Sequence, residues 1–436
     1  MHKSYWLASL LLTVLVPVSA YAYGEGEDIP HNARVIHLLA NEARTDPEAA
    51  LSTCSSCLEG IECYKRDTPP LYWRTDLARS AQLHAKMISQ MNCMQHPSPC
   101  VLISSIAKDY PKTCDGKTTC ACKGGSATCG ASGTDSSERI RMFTCNVDGT
   151  IAENISQTSS PEIVHDMWLT EAGGNPGRCE LSSSTANGQT NVHRWNLLNP
   201  AFHAIGVGSA VMTVQDFGDK NDETNALTAG THNGDANSLW FKTHYYSDIA
   251  ASQVVLVIGD DDADNDSRCK PLTRSLGSEN NGIYGTSDIM DIPECTPYYF
   301  EALDAEDNYV RFPTIGSLLY ECNNKSWRHG HSASCLNPDD EGEEQDPNYK
   351  LQDDIKACDQ PGGDNPGGDN PGGDNPGGDN PGGDNPGGDE QAQPSDDNKS
   401  KSDDCSATLN QPGQIGGWGL LFGVLACGLL RRRRSH

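Results

Sequence analysis

The sequence predicts an α+β chain, with helices and strands mixed in its first half and strands alone in the second. Three observations carry this reading. Apolar residues recur at helical spacing before about residue 170, alternating or continuous apolar runs follow, and a low-complexity spacer from about residue 336 leads to a short apolar tail.

The first helix is read in "NARVIHLLANEAR", where Val35, Leu38 and Leu39 share one face and Asp46-Pro47 lies just beyond. "RTDLARSAQLHAKMISQM" repeats the pattern through Leu77, Ala81, Ala85 and Ile88, and His84 near that face reads as a packed core histidine. A third helix opens at "SSPEIVHDMWLTE", with Ser160 as N-cap and Pro161 as its first residue. Val164, Trp168 and Glu171 are spaced i, i+4, i+7, which places Glu171 at the end of the buried face. A carboxylate there needs a partner or must turn into solvent.

Between the second and third helices, "CDGKTTCACKGGSATCGASGTDSSERIRMFTC" has no periodicity and reads as a disulfide-stapled insertion within residues 100–145. "AIGVGSAVMTVQDFG" reads as strands, and the polar run Asp219 to Asn237 as a loop or boundary. Residues 238–325 predict a small all-β, immunoglobulin-like sandwich, from the run "SQVVLVIG" and the hairpin pattern of "PYYFEALDAEDNYVRFPT". The spacing Asp262-x-Asp264-x-Asp266 is that of a calcium loop. Ser267 stands where such a loop needs glycine and no bidentate glutamate follows, so an exposed acidic turn is the better reading.

Acidic residues number 60 against 32 basic ones, a net charge of -28 over 436 residues. That excludes nucleic acid as a partner, since phosphate binding needs clustered Lys and Arg. Residues 1–22 form a secretory signal peptide, with a basic start, an apolar run and Ala20-Tyr21-Ala22 before the cut. The 18 cysteines then read mainly as disulfides. Zinc ribbons are the rival for Cys54/Cys57 and for Cys114, Cys120, Cys122 and Cys129, but the paired spacings are not clean.

From 336 to 410 the chain is an acidic linker with PGGD units starting at Pro361, Pro366, Pro371, Pro376, Pro381 and Pro386, a disordered stalk. If flexible, the repeats average about 30 Å end to end. Residues 411–436 place an apolar run, Ile415 to Leu430, before Arg431 to Arg434, and predict a C-terminal membrane or sorting helix. This end resembles the MYXO-CTERM sorting tag of myxobacteria and their relatives, with Cys405 in the place of the tag's cysteine and Asp404 where glycine is usual. The resemblance implies a processing protease as partner and delivery to the bacterial outer surface, with Cys405 as the site of a new anchor in the cell-envelope membrane. Secretion after tag cleavage and a simple single-span anchor are the rival expectations.

"NEAR", "PPLYWRTDLARSAQLHAKMISQMNCMQH", "GTIAENIS", "EIVHDMWLTE" and "HRWNLLNPAFHAIGVG" occur in that order, and together they resemble the CAP superfamily. That superfamily holds the cysteine-rich secretory proteins, antigen 5 and the plant pathogenesis-related proteins. The resemblance covers residues 30–218 and implies a three-layer α-β-α sandwich, which would precede the β-sandwich. It also implies a cleft with two histidines and two glutamates, which fall on His96, Glu153, Glu171 and His193. Ala152 and Val192 replace the family's glycines, and Pro97 follows His96.

Imidazoles with open coordination positions suit a divalent ion such as Zn2+, and carboxylates orient such rings. Two histidines are fewer than the three protein ligands usual for catalytic zinc, and no HExxH helix is present in the sequence. A nucleophilic hydrolase needs an activated Ser or Cys beside a base; Ser156 lies near Glu153 in sequence, but nothing places it on a histidine. The first expectation is therefore an exported, surface-anchored binding protein with His96 and His193 as metal ligands. Glu153 and Glu171 would support the rings, and a lipid or peptide would be the ligand. The alternative is an extracellular metal-assisted protease or esterase using Glu153 or Glu171 as general base.

Overall fold

The computed structural model describes residues 29–342 apart from 53, 55–63, 65–67, 111–117, 145–148, 172–191, 221–224, 235–237, 260–267, 288, 290–291, 323–324 and 338–339. The signal peptide, the Asp262–Asp266 turn, the PGGD repeats, Cys405 and the apolar C-terminal run lie outside the described residues.

Helix α1 (His31–Thr45) follows Pro30 and is joined through Asp46 to the single turn α2 (Pro47–Ala50), which the Asp46 side chain caps at Ala49 N. A short strand β1 (Tyr72–Trp73) leads into α3 (Thr75–Met91), which stops where Asn92 turns left-handed at φ 48°. The cysteine-rich stretch carries α4 (Ile106–Asp109), a 3-10 turn at Thr118–Ala121 and α5 (Ser136–Phe143), whose first turn is capped by Asp135. Strand β2 (Ile151–Ser156), α6 (Pro161–Thr170), α7 (Val192–Leu198), β3 (Ala204–Ser209) and β4 (Thr213–Gly218) complete this half.

The first sheet runs β1-β3-β4-β2, parallel between β1 and β3 and antiparallel elsewhere, so β2 is an edge strand. Strand alternation sends Ile205, Val207 and Phe217 into a core with Ile36 and Ala40 of α1, Val164 and Trp168 of α6 and Leu197 of α7. On the opposite face, Ala81, Ala85 and Ile88 of α3 meet Ile155 and Val214. Glycine is required at 206 and 208, because a Cβ would come within 2.0 Å of Ala78 N and 2.2 Å of Gln82 N, so α3 lies directly on the strand.

The strands after this half are β5 (Leu227–Asn233), β6 (Trp240–Tyr246), β7 (Ala251–Ile258), β8 (Cys269–Pro271), β9 (Thr273–Gly277), β10 (Asn281–Thr286), β11 (Pro297–Asp304), β12 (Tyr309–Phe312), β13 (Ser317–Leu319) and β14 (Trp327–Arg328). They form one sheet ordered β5-β6-β10-β9 and another ordered β14-β13-β11-β7-β8, with β12 on β11. Phe241 and Tyr245 from the former meet Leu256, Tyr298, Phe300 and Phe312 from the latter in the same core that reaches back to α1.

β5 corrects the reading of residues 219–237 as loop. Its residues Leu227 to His232 are all buried, so Thr228, Thr231 and His232 interrupt the apolar signal although this edge strand is covered on both faces. The outer face of its sheet packs on α1, where Leu38 meets Ala229 and Ile283.

Among the described residues, no helix is long and apolar enough to cross a membrane. The described structure therefore supplies no helix for the transmembrane character and membrane-anchored location expected of the chain, and the C-terminal run on which that expectation rests lies outside the described residues. The 17-residue α3 falls short of the roughly 20 apolar residues a span needs and carries Arg79, Gln82 and Lys86.

α1 is buried against both neighbouring layers, so its polar side chains must bond within the protein. Asn41 Oδ1 accepts from Leu71 N (2.8 Å) while its Nδ2 donates to Leu71 O (3.0 Å). Arg44 donates to the carbonyls of Pro69 (2.8 Å), Leu197 (2.9 Å), Asn199 (3.0 Å) and Phe202 (2.8 Å). Arg44→Ala strips those carbonyls of their donor and is expected to lower the unfolding free energy by about 3 kcal/mol or more. Urea titration checks this, and a loss of under about 1 kcal/mol contradicts it.

Candidate functional site

The loop after α3 holds His96. Its conformation is stapled by Cys93–Cys129 and Cys100–Cys122, so here the described cysteines are disulfides rather than zinc ligands. The carboxylate of Glu153 on β2 accepts a hydrogen bond from His96 Nδ1 at 2.8 Å through Oε1. Its Oε2 accepts from Arg139 of α5, whose Nη1 also donates to His96 O (3.0 Å) and Ser98 Oγ (3.2 Å). Arg139 and Glu153 therefore grip the His96 loop from backbone and ring together.

The second pair is built on α6 and α7. Glu171 is the residue at which α6 ends, left-handed at φ 51°. Glycine is the common choice for that conformation, and a residue with a Cβ costs about 1 kcal/mol there. The glutamate side chain offsets that cost: Oε2 accepts from His193 Nδ1 (3.1 Å) and Oε1 from Arg194 N (2.8 Å). Arg194 Nε closes the arrangement on Leu169 O at 2.7 Å.

The edge strand connects the two pairs, because neighbouring residues of a strand point to opposite faces. Glu153 faces the α3 side, and Asn154 faces the other, where its Nδ2 donates to His193 O (3.2 Å) and its Oδ1 accepts from Asn196 Nδ2 (2.9 Å). The sequence-derived residues thus come together as His96 with Glu153 and His193 with Glu171, on either side of β2. Ser156 stands at the end of β2, paired with Thr213, and bonds to neither ring.

Burial by itself would raise Glu153, but the charge of Arg139, then His84 and His96, outweighs it and holds the carboxyl at about 2. Directly across the ladder lies Asp216. Burial, then the Glu153 carboxylate, push Asp216 well above the usual carboxylate range. One acid of this facing couple is ionised and the other keeps its proton, since two charges cannot share so dry a site. Beneath them His84, also buried, is held down to about 3 by desolvation and then by Arg139. It is the core histidine expected, with Nε2 on Gln95 O at 2.8 Å.

A carboxylate has only acceptor atoms, so each histidine donates its Nδ1–H and keeps Nε2 for a ligand or a proton. The histidine side chains are 35% and 36% exposed, whereas their glutamates are 2% and 4% exposed. Among the described residues, no group of three or more His, Cys, Asp or Glu is placed to hold a metal ion. Two cavities lie elsewhere, one of about 250 Å³ beside Trp73, Ala78 and Val207 and one of about 350 Å³ beside Arg34 and His232.

Periodicity could not find Arg139, Asn154 or Asn196, whose roles are contacts between distant segments. Asp216 carried a usable signal: it alternates with Met212 and Val214, a charge on a buried strand face.

No family model matches the chain, and no curated protein does. Among solved structures, the chain is similar to an extracellular protein containing an SCP domain from Bacillus anthracis str. Ames, at 20% identity and a TM-score of 0.22. The likeness is weak and partial: it spans 35% of this chain and 35% of that one.

Glu153 is ionised in the fold at a pH where the unfolded carboxyl is protonated, so its stabilising contribution is full above about 4.5 and lost as pH falls towards about 2. Glu153→Gln is expected to be about 3 kcal/mol less stable than the wild type at neutral pH. The difference should close through that acid window, and chemical denaturation across a pH series tests it. A pH-independent difference contradicts the assignment.

Proposed function

We propose that this protein is a CAP-like binding protein whose His96 and His193 hold a divalent cation, with zinc the best match to two imidazoles. The carrying observation is that each Nδ1 is tied to a buried glutamate, which sets the tautomer and turns Nε2 into the ligating atom. The ion would supply Lewis acidity and open positions for the oxygen atoms of a lipid or peptide ligand. Glu153 and Glu171 stiffen the rings and fix their orientation, while Arg139 and Arg194 hold the glutamates. A binding role is favoured over the metal-assisted hydrolase because both candidate general bases are already engaged, Glu153 by His96 and Arg139 and Glu171 by His193 and Arg194 N.

Metal analysis of the purified protein should find about one zinc per chain, lost when His96 and His193 are both replaced by alanine. Glu171→Gln, which leaves both ligands in place, should weaken zinc binding by roughly 10–100-fold. Equal zinc in the wild type and the double-alanine variant would sink the proposal. For the competing hydrolase reading, turnover of a peptide or ester substrate that disappears in Glu153→Gln is the deciding result.

A further inference from the structure

A second site emerges where the start of α1 meets the β-sandwich. There His31, Arg34, His232, Glu294, Glu321 and Lys325 line a cavity of about 350 Å³, within the range of small-molecule sites. Arg34 is only 1% exposed. Its Nη1 donates to Ile29 O (3.2 Å) and Ser326 O (2.9 Å), but among the described residues Nε and Nη2 form no well-directed hydrogen bond, although the Tyr298 hydroxyl lies close. Among the described residues no carboxylate pairs with this guanidinium. A buried cation in that condition is costly unless a counter-charge arrives.

Its neighbours are donors or neutral groups. His31 stacks on His232 with ring centroids 4.4 Å apart and donates from Nε2 to His232 O at 2.7 Å. His232 Nδ1 is engaged with the Tyr298 hydroxyl at 2.7 Å, while its buried Nε2 has no partner among the described residues. Desolvation, followed by Arg34 for His31 and by His31 for His232, lowers these rings to about 4 and about 2, so both are neutral near neutral pH. The N-terminus of the 15-residue α1 adds its positive end, with no side-chain cap from Pro30 and no acidic residue in the first turn.

The mouth has the opposite character. Glu294 and Glu321 each precede one half of the Cys295–Cys322 disulfide, whose Cα atoms are 4.3 Å apart, so the crosslink holds the two carboxylates at one rim. A metal ion would meet Arg34 in the floor, and a dianion such as sulfate would have to pass those glutamates. A molecule with a carboxylate at one end and an ammonium at the other matches both ends. We propose that this cavity binds a free amino acid, its carboxylate on Arg34 and the start of α1 and its ammonium towards Glu294 and Glu321.

The test is thermal unfolding and calorimetry of the full chain with glycine, L-alanine, L-glutamate and L-lysine, each compared with acetate, methylammonium and sulfate. At least one amino acid should raise Tm and bind more tightly than all three of the simple ions. Arg34→Met should weaken that binding by at least about thirtyfold. Because Arg34 is buried and its replacement can impair folding, Glu294→Gln combined with Glu321→Gln provides a second variant on exposed positions. It should weaken amino-acid binding about threefold and leave acetate unaffected or improved. The proposal is overturned if no amino acid shifts Tm, if acetate binds as well as the best amino acid, or if binding is unchanged in the double glutamine variant.

Discussion

The burial of α1 between two sheets is the constraint from which the rest of the structure follows. One flank of the helix covers the β1-β3-β4-β2 sheet and another covers β5 and β10, so most of its polar residues are cut off from solvent. His37, Asn41, Arg44 and Thr45 therefore find acceptors and donors inside, in part across to the sandwich: Thr45 Oγ1 lies 3.2 Å from His244 Nε2. A core that is continuous through one helix couples the two halves energetically, because neither sheet can shed α1 without exposing apolar surface and orphaning polar groups. Arg44 extends this control to the site. Its bonds to Leu197, Asn199 and Phe202 fasten the end of α7 and the turn after it, and α7 carries His193.

At the other margin of the first sheet, an edge strand organises the histidines. β2 has a free side, which lets side chains from the α3 loop and from α7 approach it from both faces. Charge placement there is asymmetric. Glu153 has a guanidinium and stays ionised, whereas Asp216 shares the same dry space without one of its own and retains its proton. Glu171 is set by backbone geometry instead, at a left-handed helix end where its carboxylate caps Arg194 N and holds His193. The two glutamates reach the same outcome, an oriented imidazole, by different physical means.

Local pattern reached some elements well and others poorly. α1, α3 and α6 were legible because amphipathic spacing and helix stops are properties of consecutive residues. β5 was not, since a strand covered on both faces that places Thr and His among small residues has no alternation to detect. The C-terminal apolar run read as a membrane helix on composition, and that expectation does not carry into the described structure.

The four site residues were named from motifs in the sequence, yet their partners were not. His96 and Glu153 are 57 positions apart and His193 and Glu171 are 22 apart. The sequence by itself determined the helical faces, the position of Glu171 at the end of the buried face, the wealth of cysteine and the four residues proposed for the cleft. Only the tertiary structure decided which glutamate holds which ring, which carboxyl keeps its proton, and that Arg34 has no counter-charge among the described residues. Hydrophobic period is written along neighbouring residues, whereas ionisation and pairing depend on distances and dielectric surroundings that exist only once distant segments have packed.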